Sequence, residues 1–469
     1  MGNKRLKKNL VFNVTYQILI LFLPLVTSSY LSRIIGAEGI GKYSYTYSIA
    51  LYFTYFVLLG LNTYGNRTIA SLNGDREKIS KSFCELFTLQ ISCFIVVLVI
   101  YLLYCHFFAT YKTLAYIQIV FLVSALFDIN WYFFGREMFD KTVVRNAIVK
   151  LITTVFIFSF VKNEGDVNRY ALIMCMGYLI SQLALWPAVV KYINVYKIDL
   201  SSLRRHMKPN LMMFLPVIAI SIYKVMDKIM LGAMSTVPEV GFYENAEKIV
   251  NVPVAVISAF GTVMLPRVTA LIAEKKDSQV YEYRDKVMFL VTAFSCAAAF
   301  GIIFISDALT NWMYGDGFSM TGRVMKYLAI TVVFLGCGNV LRTQYLIPYK
   351  KDNVYIVSAF VGAVVNFIAN YLLIPRLGAI GAAIGTICAE LSVAVYQFFK
   401  VRKEIPLYKY IMDIVYFMLT GIVMCILLKM IFGKPQGSFA IILVCVVAGI
   451  IVYTVCAFPY MLFRRNRRR

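Results

Sequence analysis

Phe22-Leu23-Pro24, Gly36, Gly41-Lys42-Tyr43 and Arg67-Thr68-Ile69-Ala70 stand in this order near the start of the 469-residue chain. The order returns in the second half as Phe214-Leu215-Pro216, Gly232, Gly241-Phe242-Tyr243 and Arg267-Val268-Thr269-Ala270. The step from the G-x-Y glycine to the arginine is 26 residues both times, 41 to 67 and 241 to 267. Two halves therefore read as copies of one unit. When such halves are apolar and helix-rich, duplication is the usual construction of transporters, with the substrate held where the copies meet.

Composition places the copies in a membrane. The chain is 60% hydrophobic with a mean hydropathy of +0.73, against about 45–50% apolar residues in a soluble protein. Fourteen apolar runs recur, at 10–31, 43–61, 83–105, 113–134, 143–161, 170–190, 209–233, 246–266, 285–306, 324–346, 354–374, 379–399, 410–430 and 438–463. Each is long enough to cross roughly 30 Å of hydrocarbon as a helix. Backbone groups in lipid need internal partners, so such runs form helices. The first run follows Lys4, Arg5, Lys7 and Lys8 as a signal peptide would. It is long, lacks a small-x-small cleavage site and holds the first copy of the repeat, so it reads as a retained helix.

The net charge of +23 sorts by side. With a cytoplasmic N-terminus, 32 bases fall in cytoplasmic segments and eight in external loops, and seven lie in or beside the apolar runs. That bias fits the positive-inside rule with both termini cytoplasmic, and it answers for the charge without nucleic acid. The tail Arg464–Arg469 is expected to touch anionic headgroups. The ten cysteines lie in or beside apolar runs without a C-x-x-C pair, and His106 and His206 are far apart. Neither a metal site nor a disulfide framework is expected.

The repeat spans helices 1–6 and 7–12, giving an N-terminal lobe (1–208), a C-terminal lobe (209–403) and an added helix pair with a basic tail (404–469). Helix 7 follows an even number of crossings, so the two lobes are parallel repeats. The basic gap 267–286 and its counterpart 62–82 form either short interfacial helices or solvated loops. Pro24 and Pro216 lie inside helices 1 and 7, where each removes a hydrogen bond and favours a bend. The bends serve packing, gating, or both.

These residues resemble the Wzx-type polysaccharide flippases of the multidrug/oligosaccharidyl-lipid/polysaccharide exporter superfamily. The carriers of the resemblance are the two G-x-Y glycines, Pro375-Arg376-Leu377-Gly378-Ala379-Ile380-Gly381-Ala382-Ala383, and Asp128-Ile129-Asn130-Trp131-Tyr132-Phe133-Phe134-Gly135. The last is similar to a D-x-x-W-x-F-x-G pattern of the fourth helix. The resemblance covers essentially the whole chain. It implies an all-α protein of about fourteen transmembrane helices: two six-helix lobes in a V shape, a C-terminal pair, and alternating access. The implied cargo is undecaprenyl-pyrophosphate-linked oligosaccharide, moved from the cytoplasmic to the outer leaflet of a bacterial cell membrane. Other polysaccharide-assembly membrane proteins are the implied partners.

Charge inside a membrane helix is costly and faces a cavity or another charge. Lys224, Asp227 and Lys228 fall at i, i+3 and i+4 on one face of helix 7. Phe214 to Gly232 is 18 residues where Phe22 to Gly36 is 14, an extra helical turn in which these charges lie. They form either a self-contained cluster or a positive patch for pyrophosphate or acidic sugars. Arg33, 11 residues after Phe22, offers a base at a depth similar to Lys224, 10 after Phe214. Arg342 either receives the headgroup or snorkels. Asp227, Asp128 and Glu390 are the candidates for coupling to Na+ or H+. Asp227 also suits pairing with its lysines, Asp128 suits helix capping, and Glu390 has no obvious local partner in the sequence.

A small-molecule antiporter of the same superfamily is the nearest alternative; the positive patch on helix 7 and the extra helix pair favour the flippase. A membrane polymerase or glycosyltransferase would need a large external loop with catalytic residues. The longest external loop, 307–323, holds Asp307 and Asp316 without a D-x-D. No paired carboxylates, nucleophile–base set or phosphate loop appears, and no catalytic residue is assigned.

Overall fold

A computed structural model of the chain describes residues 22–197, 200–435 and 438–466. All regular structure among the described residues is helical. The helices are α1 (22–34), α2 (Gly36–Leu58), α3 (Leu61–Ser71), α4 (Arg76–Phe107), α5 (Lys112–Leu126), α6 (Asn130–Gly135) and α7 (Phe139–Phe160). Then come α8 (Val167–Leu183), α9 (Trp186–Val190), α10 (Leu200–Met234), α11 (Val237–Ala273), α12 (Asp277–Tyr314) and α13 (Ser319–Leu328). The chain ends with α14 (Thr331–Leu341), α15 (Asp352–Leu377), α16 (Ala379–Val401), α17 (Leu407–Phe432) and α18 (Phe439–Asn466).

Among the described residues, 12 helical segments are long and apolar enough to cross a membrane. They coincide with the expected second to sixth and eighth to fourteenth crossings. The expected seventh falls within α10. The expected first, 10–31, lies mainly outside the described residues, as do Lys4, Arg5, Lys7 and Lys8. The chain is a multi-pass α-helical membrane protein.

Its contacts divide it into two compact units, with the boundary inside α10 between Ile229 and Met230. In the first unit α5 packs against α2, α4 and α8, and α7 against α8. In the second, α15 and α16 form a hairpin, α12 packs against α13 and α14, and α17 and α18 pack on α12 and on each other. The C-terminal helix pair is thus part of the second unit's body.

Helix interruptions are where the sequence motifs sit. After the second crossing Leu59 adopts φ 48° and α3 follows as a short separate helix. At the equivalent place in the second copy α11 runs unbroken to Ala273. Asp75 starts α4, accepting hydrogen bonds from the backbone N–H of Glu77 and Lys78 at 3.1 and 3.2 Å. The Lys78 side chain, bonded to the same carboxyl, holds it below the usual carboxylate range. The Pro375–Ala383 motif is the α15–α16 turn. Gly378 alone joins the two helices with φ +54°, a left-handed conformation that glycine adopts without strain. Glu239 of α11 closes the turn by accepting from the Ala379 N–H at 2.8 Å, so a carboxylate caps the start of α16.

The Asp128–Gly135 motif is likewise a joint. α5 ends at Leu126, leaving carbonyls without helical partners. Gln90 of α4 supplies them: its Nε2 donates to the carbonyls of Ala125, Leu126 and Asp128 at 2.8, 3.0 and 3.0 Å. The Trp131 indole donates to Gln90 Oε1 at 3.2 Å and so orients the amide. Trp131, Tyr132 and Phe133 are buried against Phe83 and Ile79. Trp186 of α9 donates to the Phe127 carbonyl at 3.1 Å. Replacing Gln90 by Leu keeps the volume but removes the side-chain donor to the Leu126 and Asp128 carbonyls and the acceptor of the Trp131 indole. The expected loss is about 3 kcal/mol of stability, measured by thermal unfolding in detergent, with a change in tryptophan emission.

Candidate functional site

The candidate residues fall into separate environments within the two units. Asp128 is half-buried at the α5–α6 joint, where its Oδ1 accepts from the Asn130 backbone N–H at 3.0 Å and from its side-chain amide at 2.7 Å. This carboxylate caps α6. Beside it lies Arg145, near the start of the apolar run 143–161. α7 begins at Phe139, so Arg145 stands inside the helix and is buried. Its guanidinium donates to Asn146 and Asn130 Oδ1 at 2.8 and 3.2 Å and to Gln182 Oε1 at 3.3 Å. A lone base at the edge of an apolar run carries no sign of this amide cradle.

On α10 the three charges separate by exposure. Lys224 is exposed, Lys228 is half-buried and Asp227 is 2% exposed. Tyr52 and Tyr55 of α2 lie within electrostatic reach of Asp227 and Lys228 respectively. Arg33 is exposed at the end of α1, just before the turn at Gly36. Pro216, with Pro209, lies inside the continuous helix α10. Pro24 is in the first described turn of α1, and the carbonyl it would release belongs to Ile20, outside the described residues.

In the second unit Glu390 of α16 is 7% exposed, one turn beyond Thr386. Along the same hairpin lie the buried amides Asn366 and Asn370, joined at 3.2 Å, and Gln397, whose amide donates to Ser358 Oγ at 2.8 Å. Tyr243, of the second G-x-Y, meets Thr386 Oγ1 at 2.9 Å. A strip of buried polar side chains therefore runs along α15 and α16, and Glu390 is its carboxylate. Arg342 opens a π-helical turn, Arg342–Leu346. It is half-buried, donates to Tyr355 Oη at 3.2 Å and lies over that ring at 5.4 Å.

The structure corrects the reading of the tail at its first residue. Arg464 is buried, paired with Asp413 and with Asp285 at 2.9 Å, and stacked 4.4 Å from the Phe289 ring centroid. Lys409 reaches Asp285 at 2.8 Å and Tyr460 donates to Asp413 at 2.8 Å. This cluster ties α17 and α18 to α12. Basic spacing marked the tail, but only packing reveals that two buried carboxylates claim its first arginine. Arg464→Ala leaves Asp413 only its Tyr460 hydrogen bond and Asp285 only Lys409, and is expected to cost about 3 kcal/mol. Lys409→Ala, at the partly exposed edge, should cost about 1 kcal/mol or less. Thermal unfolding of the two variants measures the contrast.

The comparisons with known proteins follow this geometry. The profile of the polysaccharide biosynthesis protein family matches residues 6–272. The chain belongs to that family. The chain is similar to two candidate O-antigen transporters. The one from Escherichia coli strain K12 is 23% identical over 408 residues, 85% of this chain and 97% of that protein. The one from Shigella dysenteriae is 22% identical over 383 residues, 80% and 94% of the two chains. Among solved structures, the lipid II flippase MurJ in an inward closed conformation superposes with a TM-score of 0.79, 15% identity, and coverage of 97% of this chain and 100% of that one. An inward-facing multidrug resistance MATE family transporter of the MOP superfamily gives 0.64, 12% identity, and coverage of 84% and 95%. At those identities the likeness is one of fold. The family match bears out the polysaccharide-exporter resemblance carried by the G-x-Y, Pro375 and Asp128 motifs, and the fold agrees with it. These relatives and neighbours are transporters, in keeping with a chain that is not an enzyme.

Proposed function

We propose that this protein is a flippase for undecaprenyl-pyrophosphate-linked oligosaccharide. It carries the units by alternating access from the inner to the outer leaflet of a bacterial cytoplasmic membrane, supplying surface polysaccharide. The observation that carries this reading is near full-length similarity to proteins named for O-antigen transport, joined to a family devoted to polysaccharide biosynthesis.

The anionic pyrophosphate calls for accessible cations. Lys224 and Arg33 are exposed and serve as the first contacts, with Lys228 and Arg342 as supporting bases. The bends at Pro24 and Pro216 act as gates in their helices. Cation coupling, to Na+ or H+, is assigned to Glu390 and Asp227, both buried carboxylates. Asp128 is the third coupling candidate, though its cap on α6 occupies the side chain. Residues 465–469 contact anionic lipid, and the other membrane proteins of polysaccharide assembly are the partners.

Depleting the protein in cells should make unpolymerised lipid-linked units accumulate on the inner leaflet, read by leaflet-specific labelling of the glycan. Normal glycan export with altered drug sensitivity would establish the antiporter instead. That second reading draws on the shared fold of the multidrug transporter. The double variant Arg33→Gln/Lys224→Gln should lower transport at least tenfold at unchanged protein level; full transport would remove both residues from the cargo site. Glu390→Gln should abolish the dependence of transport on the ion gradient, followed as the rate with and without ionophore.

A further inference from the structure

Four residues at one-turn spacing on α2 and its continuation, Tyr52, Phe56, Gly60 and Tyr64, face α10 in reverse order. Tyr52 Oη donates to the Ser221 carbonyl at 3.0 Å, and Phe56 meets Phe214 edge-on at 5.3 Å. Gly60 stands so close to the Asn210 carbonyl and Met213 that a Cβ there would collide with both. Tyr64 Oη meets His206 Nδ1 at 2.8 Å. This antiparallel seam lies wholly within the first unit and docks the N-terminal half of α10.

Its end is chemically unlike the rest. The second imidazole nitrogen of His206, Nε2, meets Glu85 Oε2 of α4 at 2.8 Å. Glu85 and His206 are 4% and 6% exposed. The charged and titratable groups facing the imidazole are Tyr64 from α3, Glu85 from α4 and, on α10, Arg205, 3.5 Å from Glu85 Oε1 with its side chain 68% exposed. Arg67, Lys81, Arg204 and Lys208 on the same elements are exposed. A neutral imidazole leaves a buried carboxylate balanced only by a solvated arginine. A protonated one donates from both nitrogens, to the carboxylate and to the Tyr64 oxygen, and neutralises the buried charge. One turn further along α10, Asn210 is fully buried and neither atom of its amide has a protein partner among the described residues. Separation would relieve that group, and the Tyr64–His206–Glu85 chain opposes it.

We propose that Tyr64, His206 and Glu85 form a proton-binding site that docks the N-terminal half of α10 onto α3 and α4. A proton taken from water onto the imidazole closes the seam, and its return to water loosens it. Histidine is the side chain whose ordinary charge change falls between about pH 5 and 8, which sets the pH range to be scanned. The proposal is independent of the cargo.

The test uses the full chain in lipid nanodiscs. The protein has only two histidines, His106 and His206, so 15N-histidine labelling of a His106→Gln background reports His206 alone. Hydrogen exchange of residues 203–215, normalised to 415–428, reports docking between pH 5.5 and 8.5. Protection of 203–215 should fall at least tenfold as the imidazole passes from doubly to singly protonated, the two curves sharing a midpoint. His206→Gln, which keeps hydrogen-bonding capacity but cannot charge, should abolish the pH step, and Glu85→Gln should do the same. Tyr64→Phe, which leaves the charge pair intact, should retain it. A pH-independent wild-type seam, an imidazole that does not titrate in this range, or a step that survives in Glu85→Gln would overturn the proposal.

Discussion

Every interruption of a membrane helix releases backbone groups that lipid cannot satisfy, and this constraint organises the molecule. Gln90 answers it at the end of α5 by donating to three carbonyls. Glu239 answers it at the start of α16, where the single residue Gly378 turns the chain. Asp166 does so between α7 and α8, accepting from the N–H groups of Lys162 and Asn163 at 2.9 and 3.0 Å. The most recognisable motifs of the sequence are these joints. Conspicuous residues such as Trp131 and Gly378 thus hold the helical framework.

The same economy governs charge. Glu85 is bonded to His206, Arg145 to the oxygens of three amides, and Arg464 to Asp285 and Asp413. Each cluster joins helices distant in sequence, so each is a tie before it is anything else. Lys224 and Arg33 differ in being exposed.

Duplication preserved the scaffold and let the interiors diverge. Tyr43 and Tyr243, from the two G-x-Y copies, are both buried. Tyr43 packs among rings, 5.6 Å from Tyr47 and 4.6 Å from Tyr170, whereas Tyr243 bonds Thr386. The first unit is accordingly aromatic at this level, and the second carries a polar strip ending in a carboxylate.

The sequence by itself determined the membrane class and the 12 crossings found among the described residues, and it reads the two halves as copies of one unit. Hydrophobic length and period are local properties that survive any packing of the helices. It located Glu390 and Lys224 because a charge within an apolar run is conspicuous wherever it points. Tertiary structure alone decided the rest: which charges are exposed, that Asp128 caps α6, that Arg145 and Arg464 are buried, and that His206 meets Glu85. His206 and Glu85 lie 121 residues apart, His206 between the apolar runs 170–190 and 209–233. No spacing rule links positions that meet only when α10 lies along α2, α3 and α4. Burial and partnership are properties of those contacts.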